Sequence, residues 1–203
     1  MNDASDLLGA RHDLALVKLV TPLLLSSTMQ VLEIEKSAWP SRGHRLCTLA
    51  GYGQNMDNDT RLHVSVLRVT QGCDCIEDTE IICAKILKDG DDSPCFGDAG
   101  SVLVCDNKGV AVTSRGIPTT YCDNPHPENS SHTMVGCARK NTYFLFSNLL
   151  PHLQWFQDLV PRDALGYLHS KANRHSMKYV QYYDVITSVH LFALLILFSS
   201  HFY

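Results

Sequence analysis

Apolar residues between positions 14 and 146 recur in short runs that alternate with polar residues or stay apolar throughout, and this spacing most constrains the fold. The runs are broken by Gly, Asp, Asn or Pro. A period of two is typical of β-strands, whereas a helix repeats its apolar positions every three to four residues. The sequence therefore predicts an all-β domain, with strands over 14–19, 45–51, 62–69, 80–85, 101–105, 110–114 and 142–146.

The stretch after the last of these runs has a helical pattern instead. Residues 148–159 place four apolar side chains on one helical face, namely Leu149, Leu153, Phe156 and Leu159. Asn148 can cap the first turn and Pro151 is tolerated near the start. We therefore expect a helix there, packed against a barrel that the last six strands close.

Composition bounds the classes of function. The chain has 203 residues, of which 45% are hydrophobic, which is enough for one core. Its 17 basic and 21 acidic residues leave no positive excess to neutralise phosphates, so nucleic acid is not an expected partner. Cys73 and Cys75 are too close in sequence for a zinc knuckle. We expect no metal and no cofactor.

Eight cysteines indicate an oxidising compartment, where disulfides persist. Two glycosylation sequons point the same way, with Asn58 and Asn129 as the acceptors. The sequence therefore predicts an extracellular or cell-surface protein, although no signal peptide is found in this chain.

The C-terminal end predicts a membrane attachment. Residues 185–203 contain no Lys, Arg, Asp or Glu, and this length is close to the roughly 20 residues that cross a bilayer. They follow a polar spacer over 161–184. The tail fits either a membrane span or a glycolipid-anchor signal; a buried C-terminal helix is the alternative.

Several motifs, taken in order, resemble one known family. The loop from Cys95 to Cys105 resembles the nucleophile loop of chymotrypsin- and trypsin-like serine proteases (peptidase S1), with Ala99 in place of the reactive serine. The segment from Arg11 to Leu19 resembles the stretch around the triad aspartate. Further similar stretches follow in the family's order: 47–53, 81–84, 112–116, 136–143 and 155–156. The resemblance implies a Greek-key β-barrel with a C-terminal helix.

The same resemblance implies the roles of individual residues. Asp13 takes the place of the triad aspartate, and the backbone amides of Gly97 and Ala99 that of the oxyanion hole. The specificity pocket would be formed by Ser93 at its floor and by Ser114, Arg115 and Gly116 along its wall. Asp98 has no released amino terminus to pair with, so we expect it to be solvated in a loosened loop.

Disulfide pairing is also implied by the resemblance. Cys47 would pair with Cys105, Cys95 with Cys137, and Cys83 with Cys73 or Cys75. Cys122 and the unused member of the last pair are left over. They can join each other or a partner chain, because sequence alone does not settle connectivity.

The resemblance covers residues 1–160. Residues 1–45 would be a remnant of the first barrel and a linker, and 46–160 the complete second barrel with its closing helix. The first barrel would be mostly missing, and no histidine of this chain lies in the family's catalytic motif. Residues 117–135, rich in Pro, Asn, Ser and Thr, read as an inserted loop.

A methyl group cannot attack a peptide bond, and in subtilisin, an unrelated serine protease, losing the nucleophile alone removes about a millionfold in rate. The sequence therefore predicts a non-catalytic protease homologue, membrane-attached, that binds protein or peptide partners through its remnant cleft or the 117–135 loop. The alternatives are a truncated form of a working serine endopeptidase and a structural adhesion module.

Overall fold

Six antiparallel strands close into a barrel at the centre of the molecule. A computed structural model describes residues 10–17, 19, 23–40, 43–54, 61–123 and 137–159, together with the backbone of 186–187. In chain order the elements are β1 (Gln30–Val31), β2 (His44–Gly51), β3 (His63–Gln71), β4 (Ile81–Ile86), β5 (Val102–Cys105), β6 (Lys108–Pro118), β7 (Thr142–Asn148), α1 (Leu153–Leu159) and β8 (Ile186–Thr187).

The barrel has the order β2-β3-β4-β7-β6-β5, and β5 returns to β2 to close it. The last six strands that the sequence predicts are therefore confirmed, as is their closure. The short strands β1 and β8 form a separate pair outside the barrel. Since β7 lies between β4 and β6, the chain crosses one end of the barrel between β4 and β5, as the Greek-key prediction requires.

Alternating burial explains the barrel. Along β2, Cys47 and Leu49 are buried, whereas Leu46 and Thr48 are exposed. A strand places successive side chains on opposite faces, so each strand sends every second residue inward. The inward side chains form one apolar cluster: Cys47, Leu49, Leu67, Val69, Ile82, Ala84, Ile86, Leu103, Cys105, Val110, Ala111, Phe144 and Phe146.

The strand predicted over 14–19 is wrong. The described residues of this stretch belong to no strand and pair with none. We call residues 10–17 the strap. Leu14 and Leu16 of the strap pack against a cluster of Val112, Leu149 and Phe156. The apolar run therefore reflects contacts with the core, but a strand also needs a backbone partner.

The helix begins later than predicted. The chain stays in β7 through Asn148, makes a 3₁₀ turn over Leu150–His152 and becomes α-helical only from Leu153. The amide of Leu150 donates to Asn148 Oδ1 at 3.2 Å, so Asn148 does stabilise this start. Leu159, expected on the buried face, is 45% exposed.

The structure pairs all eight cysteines. It joins Cys47 to Cys105 and Cys95 to Cys137, as the resemblance implies. It also settles what the sequence left open, because Cys83 takes Cys73 and the two remaining cysteines, Cys75 and Cys122, pair with each other.

The predicted start of the inserted loop, residue 117, is too early. Ile117 and Pro118 are the last residues of β6, and a 3₁₀ turn over Thr119–Cys122 follows them. Residues 124–136 lie outside the described part, as do both sequon asparagines and all of the 185–203 tail except the backbone of 186–187. Within the described residues, no helix has the length and apolar character needed to cross a bilayer.

Candidate functional site

The loop that contains Ala99 is fixed to β6 by backbone hydrogen bonds. The Gly100 amide donates to the Thr113 carbonyl at 2.9 Å, and the Thr113 amide donates to the Ser101 carbonyl at 2.9 Å. The Thr113 hydroxyl also donates to Ser101 O at 3.0 Å. None of these bonds uses the side chain at position 99. The structure therefore places Ala99, which is exposed, directly beside the start of the predicted pocket wall.

Asp98 is buried, so the expectation of a solvated side chain is wrong. Its Oδ1 accepts a hydrogen bond from the Gly53 amide and its Oδ2 one from the Cys95 amide, both at 2.9 Å. Two backbone donors thus solvate the carboxylate in place of water, which lets it stay inside the protein. These bonds join the Ala99 loop to the end of β2.

Glycine makes room for that carboxylate. A Cβ atom at Gly51 would lie 2.0 Å from Asp98 Oδ1, and one at Gly53 would lie 2.4 Å from Asp98 Cγ. Gly97 has a φ of +96°, which L side chains rarely adopt. The three glycines are therefore needed for the loop to close over a buried carboxylate.

Asp13 of the strap reaches β6. Its Oδ2 accepts a hydrogen bond from the Ser114 hydroxyl at 2.6 Å. Among the described residues no histidine donates to Asp13, and its neighbour His12 points elsewhere: His12 Nε2 lies 3.6 Å from Glu80 Oε2. The sequence placed Ser114 only in the pocket wall. It gave no sign of this bond, because the two residues are 101 positions apart.

Polar contacts hold the strap in place. The Ser147 hydroxyl donates to the Ala10 carbonyl at 2.6 Å, and Arg11 pairs with Asp78. Leu14 and Leu16 add apolar contacts further along. The sequence missed the role of Ser147, which is fully buried on β7.

His152 lies next to the strap and has a shifted pKa. It is 9% exposed, and its ring meets that of His12 edge-on with 5.2 Å between centroids. Its Nε2 is buried without a hydrogen-bond partner among the described residues. Burial, assisted by the nearby His12, lowers the pKa of His152 below 6.5.

The predicted pocket residues lie on two pieces of chain, the segment that contains Ser93 and strand β6. Ser93 accepts a hydrogen bond from the Ala138 amide at 2.8 Å, so the predicted floor is tied to the Cys137 disulfide region. Arg115 and Gly116 are half-buried on β6, after an irregularity in the pairing of β6 with β7. The structure thus joins Asp13 to Ser114 by a direct contact, and it connects Ala99 to β6 through Gly100.

The edge of β6 is open beyond Thr113. Strand β5 pairs with β6 only up to Val112, whereas β7 pairs with β6 as far as Pro118. On the β5 side, the segment from Arg115 to Pro118 therefore faces no strand of the described part. Backbone groups on such an edge can pair with another extended chain.

The chemistry of the site follows from these contacts. Ala99 offers a methyl group where a nucleophile would be needed. The hydrogen bonds among described residues leave the amides of Gly97 and Ala99 unused, so both remain available as donors. No three His, Cys, Asp or Glu side chains of the described part are grouped so that they could hold a metal ion. The site can bind through its backbone.

Comparison with known proteins agrees with the fold and the motifs. The family model described as Trypsin matches residues 3–132, more than half of the chain. The matched segment includes strands β2 to β6 of the closed barrel and the glycine-rich loop that contains Ala99, so the chain is a protein of the serine-protease-like class. This chain belongs to the trypsin family.

Individual relatives match over part of their length. Kallikrein-1E2 of Equus caballus is 26% identical over 163 residues, which cover 75% of this chain and 55% of the relative. Testisin of Homo sapiens is 24% identical over 175 residues, which cover 76% of this chain and 50% of testisin. Granzyme A of Bos taurus is 32% identical over 127 residues, with coverage of 56% and 47%. The chain spans about half the length of the curated relatives it matches.

Among solved structures, neuropsin, described as a serine protease expressed in the limbic system of mouse brain, superposes with a TM-score of 0.45 at 15% identity. The match covers 63% of this chain and 52% of that one.

Proposed function

We propose that this chain is a non-catalytic member of the trypsin family that binds an extended peptide or protein segment outside the cell. The binding surface is the open edge of β6 from Arg115 to Pro118, together with the Ala99 loop beside it. One observation supports this most directly: the loop is ordered by backbone bonds that do not need a side chain at position 99. The surface therefore keeps its shape without the nucleophile.

The absence of catalysis rests on the chemistry of the site. A serine nucleophile requires an oxygen and a base that removes its proton. The side chain at position 99 has no oxygen. Asp13 accepts a hydrogen bond from Ser114 and not from a described histidine. The competing proposal is a working endopeptidase, which the family match alone would favour.

A serine-directed fluorophosphonate probe separates these two proposals. The full chain and an active trypsin would be treated in parallel, and labelling would be read by intact-mass spectrometry. We expect the trypsin to gain the probe and this chain to stay unlabelled. Covalent labelling of the natural chain would overturn the non-catalytic assignment.

Binding can be measured with short peptides of defined composition. A panel of fluorescein-labelled, alanine-based hexapeptides with one position varied would be titrated with the full chain, and fluorescence anisotropy recorded. Peptides with Glu at the varied position should bind about two- to fivefold tighter than those with Lys, because Arg115 lies on the open edge.

A matched pair of variants locates the surface. Gly116→Val places a branched side chain on the edge and should weaken binding of the tightest hexapeptide by about tenfold. Val66→Thr changes a side chain that is 60% exposed on the distant strand β3, and should leave binding unchanged. Equal effects of the two substitutions would rule out the β6 edge as the binding surface.

The proposed location is the cell surface, with attachment through residues 185–203. Four disulfides among the described residues support an oxidising compartment. Surface biotinylation of cells expressing the full chain tests this, and release by a phosphatidylinositol-specific phospholipase would favour a glycolipid anchor over a membrane span. A chain found only in the reducing cytosol would contradict the proposal.

A recognition role for the 117–135 segment is a second, separable part of the proposal. Deletion of residues 124–134 keeps both Cys122 and Cys137 with their disulfide partners. Unchanged recovery of a bound protein partner by the deletion variant would count against that role.

A further inference from the structure

Two disulfides leave a single turn between β3 and β4. Cys73 pairs with Cys83, and Cys75, two residues later, pairs with Cys122. Cys73 and Cys83 are only 8% and 2% exposed, whereas Cys75 is exposed and Cys122 half-buried. Access of a thiol to the sulfur atoms controls exchange, so these two neighbouring bonds differ in how readily they can be attacked.

The turn on the Cys75 side is fixed by other contacts. Asp74 adopts a φ of +35° and its carboxylate accepts hydrogen bonds from the Lys85 ammonium, at 2.9 Å, and from the Tyr143 hydroxyl. Those two donors also lower the pKa of Asp74, so the carboxylate stays ionised. The Cys73–Cys83 bond adds a covalent tie one residue away. This turn would therefore keep its shape if the Cys75–Cys122 bond opened.

On the Cys122 side, pairing of β6 with β7 ends at Pro118, and no second disulfide of the described part lies beside the Cys75–Cys122 bond. Cys122 ends the 3₁₀ turn Thr119–Cys122, which follows directly on the open edge of β6 and has no side-chain cap. The Thr119 amide donates to Asn141 O at 2.8 Å, and Tyr121 packs against the cluster that contains Tyr143. Among the described residues, the Cys75–Cys122 disulfide is the one covalent cross-link between this end of β6 and the β3–β4 turn.

We propose that the Cys75–Cys122 disulfide is a redox-sensitive latch that sets the order of the segment from Arg115 to Cys122. When a dithiol opens it, this segment loosens while the barrel and the β3–β4 turn stay intact. Its consequence for peptide binding rests on the function proposed above, since the latched segment includes the proposed binding edge.

The reaction is an ordinary thiol–disulfide exchange with an external dithiol. One thiolate of the reductant attacks the sulfur of Cys75, an exposed residue, forms a mixed disulfide and releases the Cys122 thiolate, which takes up a proton. The second thiol of the reductant then displaces Cys75 and closes the reductant's own disulfide. Two electrons pass to the protein, and Cys75 and Cys122 become thiols.

Selectivity follows from exposure. The sulfurs of Cys47 and Cys105 belong to side chains that are each 1% exposed inside the barrel, and the Cys73–Cys83 bond is also buried. The nearest competitor is Cys95–Cys137, since both of its cysteines are half-buried. We therefore expect Cys75–Cys122 to open first and Cys95–Cys137 second.

The test titrates the full, oxidised chain with dithiothreitol under native conditions. Cysteines that become free would be trapped with a light alkylating reagent and the rest with a heavy one after denaturation. Peptide mass spectrometry then gives the order of opening. Hydrogen–deuterium exchange of 115–122 and of β2 would be followed in the same samples.

The expected result is at least fivefold more light label on Cys75 and Cys122 than on any other pair at the lowest effective dose. It includes faster exchange of 115–122 with β2 unchanged. The proposal is overturned if another disulfide opens first, if all four open together, or if 115–122 exchanges no faster after opening.

A double variant, Cys75→Ser with Cys122→Ser, provides a second measurement and should show the faster exchange of 115–122 without reductant. The tightest alanine-based hexapeptide should bind this variant about tenfold more weakly than the oxidised chain. If the oxidised chain binds no hexapeptide, the proposed function fails, while the order of opening and the exchange rates still decide the latch.

Discussion

The barrel and the strap are built from the same kind of sequence but are held in different ways. Both contain short runs rich in apolar residues. In the barrel each strand gains backbone partners on both sides and buries its inward face in one cluster. The strap gains no ladder, and a few polar side-chain bonds together with Leu14 and Leu16 hold it. Asp13, which joins the strap to the site, thus sits on the more weakly held part.

The barrel should respond most strongly to a cavity. Phe146 is fully buried on β7 within the central cluster. Phe146→Ala leaves a cavity that the surrounding side chains can only partly fill. We expect a loss of about 3–5 kcal/mol in the free energy of unfolding. Urea denaturation of the oxidised chain measures this.

The control for that prediction is Val66→Ala, which shortens a side chain that is 60% exposed on β3. It should change the free energy of unfolding by less than about 0.5 kcal/mol. Comparable losses for the two variants would mean that the central cluster does not dominate the stability of the barrel.

A smaller effect is expected where the barrel meets the Ala99 loop. Gly51→Ala introduces a Cβ atom 2.0 Å from Asp98 Oδ1, so either β2 or the carboxylate must move. Overpacking of this kind costs about 1–3 kcal/mol in the free energy of unfolding.

A double-mutant cycle shows whether Asp98 is the cause. Asp98→Ala removes the obstacle, although it leaves the amides of Gly53 and Cys95 without their acceptor. Combined with Gly51→Ala it should cost less than the sum of the two single substitutions. If the changes in the free energy of unfolding were strictly additive, residues 51 and 98 would not be in contact.

The strap should respond to the loss of one hydrogen bond without disturbing the barrel. Ser114→Ala removes the donor to Asp13 Oδ2 and costs about 1 kcal/mol of local stability. Hydrogen exchange of 10–17 should become faster while β2 and β7 keep their protection. Thr48→Ala, at an exposed position of β2, is the control. Faster exchange of the barrel strands would contradict a separately held strap.

The contrast also explains what the sequence could predict. The sequence predicts six strands from short runs that alternate or stay apolar throughout, because in a closed barrel the pattern and the backbone pairing agree. At residues 14–19 the same kind of pattern predicted a strand that does not form, because the local sequence does not show whether a segment has a backbone partner. The helix start was placed early because Asn148 does contribute a cap-like bond, but does so from the end of β7.

Within the site, motif resemblance gave the positions but not the contacts. Asp13 and Ser114 could each be assigned to a part of the site, whereas their hydrogen bond spans 101 positions and depends on the path of the strap. The burial of Asp98 was missed for a related reason. Its solvation comes from two backbone amides, and backbone donors have no signature in a sequence.

The smallest effect should come from the pH dependence of the contact between the strap and the end of the barrel. The folded protein lowers the pKa of His152 because the ring is buried. Below about pH 6.5 the unfolded chain therefore binds more protons at this residue than the folded one, so stability falls as the pH decreases. Above that pH the residue is neutral in both states and the contribution to the slope disappears.

Urea denaturation between pH 7.5 and pH 5 measures this slope. His152→Phe keeps an aromatic ring of similar shape and removes the titrating nitrogen, so the variant should lose less stability on acidification than the natural chain. The carboxyl groups with lowered pKa values, Asp74 and Glu35, contribute mainly at pH values near and below their ordinary 3.8 and 4.5, so their effect is small over most of this range. His44→Gln, at an exposed position of β2, accounts for the general effect of removing a histidine. An unchanged slope in His152→Phe would show that the ring is hydrated in the folded protein, and that the strap covers this end of the barrel less completely than its contact with His12 indicates.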